Sequence, residues 1–216
     1  MIRLFLLALL TGGALRAAEP IVTCDYPDDA SAAKAWRAVE GSPAARIGQD
    51  DIAHVLRLDC NFGSNKRARC YWDHKVDLDL ASAEGIRIEL RCGDRAPIAQ
   101  FHAYFETDGG WYNASFAAPR TAEWTTIEIR KDAAKIEGKP AGWGRIRTIR
   151  LAAYRAEDRD ASFEIRSLRK LGQLGEDTHV VLLRTPDAKE RFDERLSRQL
   201  SARGLRHASV DEADLT

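Results

Sequence analysis

The chain has 216 residues, and its 33 Lys and Arg balance 33 Asp and Glu, so the formal net charge is zero. Nothing in that balance favours nucleic acid or an anionic membrane as a partner. The length suits one domain with a full core and part of a second, and no internal repeat or low-complexity tract interrupts it.

The first 18 residues read as a secretory signal peptide: Arg3, an apolar run from Leu4 to Leu10, then small residues at Gly12, Gly13, Ala14, Ala17 and Ala18. The run is shorter than the roughly 20 residues that span a bilayer, so no membrane contact is expected after its removal. Cleavage after Ala14, Ala17 or Ala18 fits the small-residue rule. The expected location is secreted or periplasmic, a compartment in which disulfides persist.

Domain one is expected over 19–171. A short helix is predicted over Ser31 to Val39, with Trp36 anchoring the N-terminal segment. In HVLRLDCNF (54–62), Leu56, Leu58, Cys60 and Phe62 share one face, and Gly63, Ser64 and Asn65 lead back into ARCYWD (68–73). A hairpin centred on Asn65 sets Cys60 opposite Cys70 and Leu58 opposite Trp72. A Cys60–Cys70 disulfide is therefore expected, with Cys24 and Cys92 paired or free, and Trp72 in the core. Asp73, Asp77 and Asp79 read as a solvated strand edge.

The most informative stretch is FHAYFETDGGWYNASF (101–116). An Asp-Gly pair between alternating runs signals a hairpin with a two-residue loop, pairing Thr107 with Gly110. That register sets Phe105 opposite Tyr112, Ala103 opposite Ala114 and Phe101 opposite Phe116, so this face is the buried one. The other face carries His102, Tyr104, Glu106, Trp111, Asn113 and Ser115. Rings interleaved with planar hydrogen-bonding groups suit a sugar, whose C–H side stacks on rings while its hydroxyls meet amides and carboxylates. Asn113-Ala114-Ser115 also has the form of a glycosylation sequon, which has meaning only in a eukaryotic secretory pathway and would cover this face. A plain sheet with its outer aromatics under a loop remains equally open.

Further inward residues alternate with polar ones in each run: Ile86, Ile88, Leu90 and Cys92; Ile127 and Ile129; Ile149, Leu151 and Ala153; Phe163 and Ile165. About eight such strands predict an all-β, antiparallel sandwich of the jelly-roll kind. Arg150 and Tyr154 share the outward parity of their strand. Trp124 reads as structural, and Trp143 between two glycines either lines a loop site or caps the core.

The character changes after Leu171. Residues 172–178 read as a linker, and 179–216 as an incomplete α/β (βαβ) segment. HVVLLR (179–184) is a buried parallel strand, Phe192, Leu196 and Leu200 mark a helix face, Gly204 a cap, and RHASV (206–210) a second strand. Two strands and a helix cannot bury their own faces, so a larger second domain is expected.

The blocks VDLDLAS (76–82) with IRIEL, YFETDGGWY (104–112), EWTTIEIRK (123–131) and AGWGRIRTIRLAAYR (141–155) give the region from about 22 to 171 a likeness. It resembles the galactose-binding-like jelly rolls, which include carbohydrate-binding modules of bacterial glycoside hydrolases and, more distantly, the complex I intermediate-associated protein family. The tail from 178 resembles the start of a flavodoxin-like or glutamine-amidotransferase-like domain. The resemblance implies a non-catalytic module that keeps an attached enzyme near a polysaccharide or oligosaccharide. It also implies a structural calcium ion in many members, for which this sequence offers no ligand cluster; no other cofactor is expected.

The candidate ligand contacts are Trp111 and Tyr104 for stacking, and Asn113, Glu106, Arg150 and Tyr154 for hydrogen bonds. No catalytic residue is expected: the five histidines lack metal spacing and no serine lies in a nucleophile elbow. An interaction module docking through the same aromatics on a downstream α/β domain, itself a possible enzyme, is the competing expectation.

Overall fold

The computed structural model describes residues 20–50, 53–64, 66–81, 83–117, 119, 121–171, 180–184 and 207–211. The signal peptide, the whole of the linker and the helix expected around Leu196 lie outside the described residues. Residues 20–173 form one compact unit. In the other unit, β13 (Val180–Arg184) pairs in parallel with β14 (His207–Asp211), Val180 opposite His207.

The first unit is a sandwich of two antiparallel six-stranded sheets. The first sheet runs β3 (Arg46–Gln49), β4 (His54–Cys60), β12 (Ala161–Leu171), β6 (Gly85–Arg91) and β9 (Thr125–Arg130), with β1 (Pro20–Val22) also paired to β12. The second runs β10 (Lys135–Gly138), β8 (Gly110–Phe116), β7 (Ile98–Thr107), β11 (Ile146–Arg155), β5 (Arg69–Leu78) and β2 (Trp36–Val39). Period-two alternation turns the expected apolar residues of both sheets into one shared core, including Leu56, Leu58, Ile88, Phe105, Leu151 and Phe163, all nearly inaccessible. Phe116 and Ile127 pack at its margin.

The β7–β8 hairpin has the predicted register, Thr107 opposite Gly110 through Phe101 opposite Phe116. Only Gly109 of its loop takes a positive φ, at 80°, where a side chain would be strained. Strand β10 then crosses so close to Gly110 that a Cβ there would lie 2.3 Å from the Glu137 carbonyl. Glycine at 110 is thus what lets β10 extend the second sheet.

Two expectations are corrected. The helix is α1 (Asp29–Ala35), capped by the Asp28 carboxylate accepting from the Ser31 amide at 2.7 Å; residues 36–39 form β2 instead. Trp36 ends the helix because its ring stacks on His74, centroids 4.8 Å apart, opposite which it pairs in β5. The 54–73 hairpin is also wrong: β4 pairs with β3 and β12, β5 with β2 and β11, so the chain between them crosses from one sheet to the other. Side-chain parity is identical for two strands of one sheet and for two strands facing across a core, so alternation alone could not separate these arrangements. Leu58 therefore pairs with Phe163, and Trp72 with Leu151 and Ala38.

The expected Cys60–Cys70 disulfide is not seen. All four cysteines are buried with no bridge between them, and Cys70 Sγ, beside Cys60, donates to Asn61 Oδ1 at 3.3 Å. The neighbouring Cys70 thiol and burial push the Cys60 thiol up, and burial raises Cys92 to about 11. Trp72 is in the core as expected, its Nε1 donating to the Pro43 carbonyl at 2.7 Å. Trp143 is a cap: it stacks on Tyr112 at 4.0 Å and leans on Phe105.

Candidate functional site

On the outer face of the second sheet, side chains fall into rows across the strands. One row runs Lys135, Asn113, Tyr104, Arg150, Asp73 and Arg37; the next carries Ser115, His102, Ala152, Tyr71 and Val39. Ala152 is the small member of its row, and the rings of Tyr71 and Tyr104 pack around it in an aromatic patch separate from the main core. A depression of about 200 Å³ lies here, with Trp111, Asn113 and Glu137 at one side and Arg69 and Tyr71 at the other.

The walls are fixed by contacts among themselves. The Arg150 guanidinium makes a two-pronged bond to Asp73, Nε to Oδ1 at 2.6 Å and Nη2 to Oδ2 at 3.0 Å. It also lies over the Trp111 ring at 4.7 Å and the Tyr71 ring at 4.8 Å. Asp73 is only 5% exposed, so it is not the solvated edge residue that the sequence suggested; Arg150 and, at 3.6 Å, Arg37 compensate its charge. The bond to Asp73 in turn holds Arg150 above its ordinary pKa.

A second chain links Arg69, Tyr154 and Tyr104. Arg69 Nη1 donates to the Tyr154 hydroxyl at 2.7 Å, which lies 2.8 Å from the Tyr104 hydroxyl. Burial, then the bond to Tyr154, push the Tyr104 phenol up, so it is a neutral hydroxyl across the physiological range. A third chain runs from His102 Nδ1 to Asn113 Oδ1 at 2.7 Å, and from Asn113 Nδ2 to Glu137 Oε1 at 2.8 Å.

Of the sequence candidates, Trp111, Tyr104, Asn113, Arg150 and Tyr154 surround this one depression. Tyr104 is 7% exposed and presents little more than an edge, so it offers no open ring face. Glu106 is not brought in. Its carboxylate is taken by the Thr148 hydroxyl and by Lys75 Nζ at 3.3 Å, in the neighbouring row. Parity put Glu106 outward correctly, but only the register with β11 and β5 reveals those partners.

Arg69, Tyr71, Ala152 and Glu137 were missed. Cys70 and Trp72 face inward, so parity already turned Arg69 and Tyr71 outward, but nothing local says that β5 lies beside β11. Glu137 sits in KIEG, a four-residue strand with no readable period. Among the described residues, no group of three or more His, Cys, Asp or Glu is gathered to hold a metal ion. Among them, too, no helix is long and apolar enough to cross a membrane.

No family model and no curated protein sequence matches the chain. Solved structures do match. An exo-β-agarase is 10% identical, with a TM-score of 0.54, covering 86% of this chain and 31% of that one. A family 11 carbohydrate-binding module from Clostridium thermocellum, solved with a β-1,3-1,4-mixed-linked tetrasaccharide, is 17% identical over 65% of this chain and 90% of its own, with a TM-score of 0.49. A carbohydrate-binding module specific for non-crystalline cellulose is 11% identical over 64% of this chain and 88% of its own, at 0.42. At such identities the likeness is one of fold: residues 20–171 form an antiparallel two-sheet jelly-roll sandwich, like part of the exo-β-agarase.

Proposed function

We propose that the chain is an exported, non-catalytic carbohydrate-binding module of a larger, glycan-processing protein, with its ligand seated in the depression on the second sheet. One observation carries this reading: aromatic walls and hydrogen-bonding groups converge on a single small cavity whose side chains are already locked in place. About 200 Å³ is less than a drug-sized cleft of roughly 300–1,000 Å³, a scale suited to a single sugar ring. Trp111 supplies the stacking surface, while Asn113, Glu137, Arg150 and Tyr154 ring it with donors and acceptors. The fold match to an exo-β-agarase is in keeping with a module placed beside a glycan-processing enzyme.

The test is affinity electrophoresis of the chain through plant, algal and microbial polysaccharides, with Trp111→Ala and Trp124→Ala alongside. Retardation by one polymer class is expected, lost in Trp111→Ala by at least about thirtyfold in affinity, the size of a binding hot spot. Trp124, on the opposite face of the sandwich, serves as the control that keeps binding. Absence of retardation on every polymer, or equal binding by Trp111→Ala, overturns the proposal.

A further inference from the structure

The depression has an electrical direction. Glu137, on β10, marks one rim, and Arg69, on β5, the other. Four strand steps separate them, about 19 Å at the usual spacing of antiparallel strands. Between them Arg150 is neutralised by the buried carboxylate of Asp73. Arg69 is different: among the described residues no carboxylate is ion-paired to it. Glu40, a carboxylate whose charge reaches it, is bound to Arg67.

Arg69 is nonetheless held still. Its guanidinium lies 5.0 Å over the Tyr71 ring and 5.6 Å from the centre of the Tyr154 ring, and one N–H is bonded to the Tyr154 hydroxyl. A guanidinium has five N–H donors in a flat fork, so four remain for a ligand. Such a fork, oriented by rings rather than by an acid, matches the paired oxygens of a carboxylate or sulfate and binds them more strongly than it binds a neutral hydroxyl. The tyrosines around it are no obstacle to an anion, because burial raises the phenols of Tyr71 and Tyr104 and keeps them uncharged.

Resting on the carbohydrate-binding reading, we propose that the ligand is an acidic saccharide whose carboxylate or sulfate ester docks on Arg69 while its ring packs toward Trp111. The zero net charge of the chain makes this a property of the site. A polyanion gains no general attraction to the protein, so acid selectivity has to come from a local cation.

Calorimetric titration of the whole chain at physiological salt tests it, using acidic oligosaccharides each paired with its neutral form. Oligouronates are compared with their carboxyl-reduced products, and sulfated galactan fragments with their desulfated ones. An acidic member is expected to bind at least about tenfold tighter than its neutral partner. Arg69→Gln is expected to weaken the acidic form far more than the neutral one and so collapse that preference, and Arg69→Lys to restore part of it. The arm showing the preference tells carboxylate from sulfate. Equal binding of acidic and neutral forms, or equal weakening of both by Arg69→Gln, overturns the acidic assignment while leaving the carbohydrate-binding reading intact. No binding to any pair overturns both.

Discussion

The two outer faces of the sandwich are built from similar residues and behave differently. On the first sheet, guanidinium groups end on carboxylates: Arg46 and Arg57 on Asp59, Arg87 on Glu128, Arg91 on Glu164, and Arg166 on Glu89 and Asp50. Even Trp124 is closed off there, lying between Arg91 at 4.6 Å and Arg166 at 4.3 Å. Around the depression on the second sheet, Arg69 and Arg150 lie on rings, and Asp73 reaches Arg150 from a buried position. A carboxylate partner cancels a cation and leaves a sealed polar lattice. An aromatic partner orients the cation without cancelling it, and that is why the second face keeps a cavity with binding capacity.

The contrast can be broken at its ion pairs. Asp73→Asn leaves Arg150 half-buried without its counter-charge, and the expected loss of stability is about 3 kcal/mol, the lower end for a broken buried pair. Chemical denaturation measures it, and a loss below about 1 kcal/mol would place Asp73 with the surface pairs. Saccharide binding is expected to weaken too, since Arg150 then no longer braces Trp111.

Acid sharpens the contrast by acting on the second sheet. His74 on β5 has its pKa lowered by burial, while its Nδ1 bonds the Ala35 carbonyl at 2.8 Å. Its folded pKa lies below the unfolded value of about 6.5, so the unfolded chain binds the proton first and stability falls as pH drops below about 6.5. The expected effect is a decline in Tm between pH 7 and 5. His74→Phe keeps a ring against Trp36 and is expected to flatten that slope; an unchanged slope would assign it to other groups.

The smallest effect is expected on the first sheet. Glu128 is 46% exposed at its side chain, so Glu128→Gln removes a screened pair with Arg87 and costs less than about 1 kcal/mol. Its loss with added salt should match that of the parent pair, so equal denaturation midpoints for both proteins in high salt check the point.

Local pattern specified much of this molecule. Alternation in IRIEL, TIRLAAY and SFEIRSL sorted core from surface, and Asp108-Gly109 set the β7–β8 register, since a slip there would expose Phe101 and Phe105. What failed was pairing between strands distant in sequence. Cys60 and Cys70 have the parity of hairpin partners, yet Cys60 lies opposite Ala161 in β12 and Cys70 opposite Ala153 in β11. The site suffered the same limit: Trp111 and Asn113 were legible from one hairpin, whereas Arg69 and Tyr71 join them only because β5 packs beside β11. Glu106 shows the converse, an outward residue whose long-range neighbours consume it.

The chain of bonds from Arg69 through Tyr154 to Tyr104, with Arg150 anchored on Asp73, has a kinetic consequence. A cavity whose walls already hold one another has no loop to order when ligand arrives, so the encounter rate is set by diffusion and orientation. Differences between saccharides then fall on the dissociation rate. Under the carbohydrate-binding proposal, such a grip would release and recapture repeating units quickly.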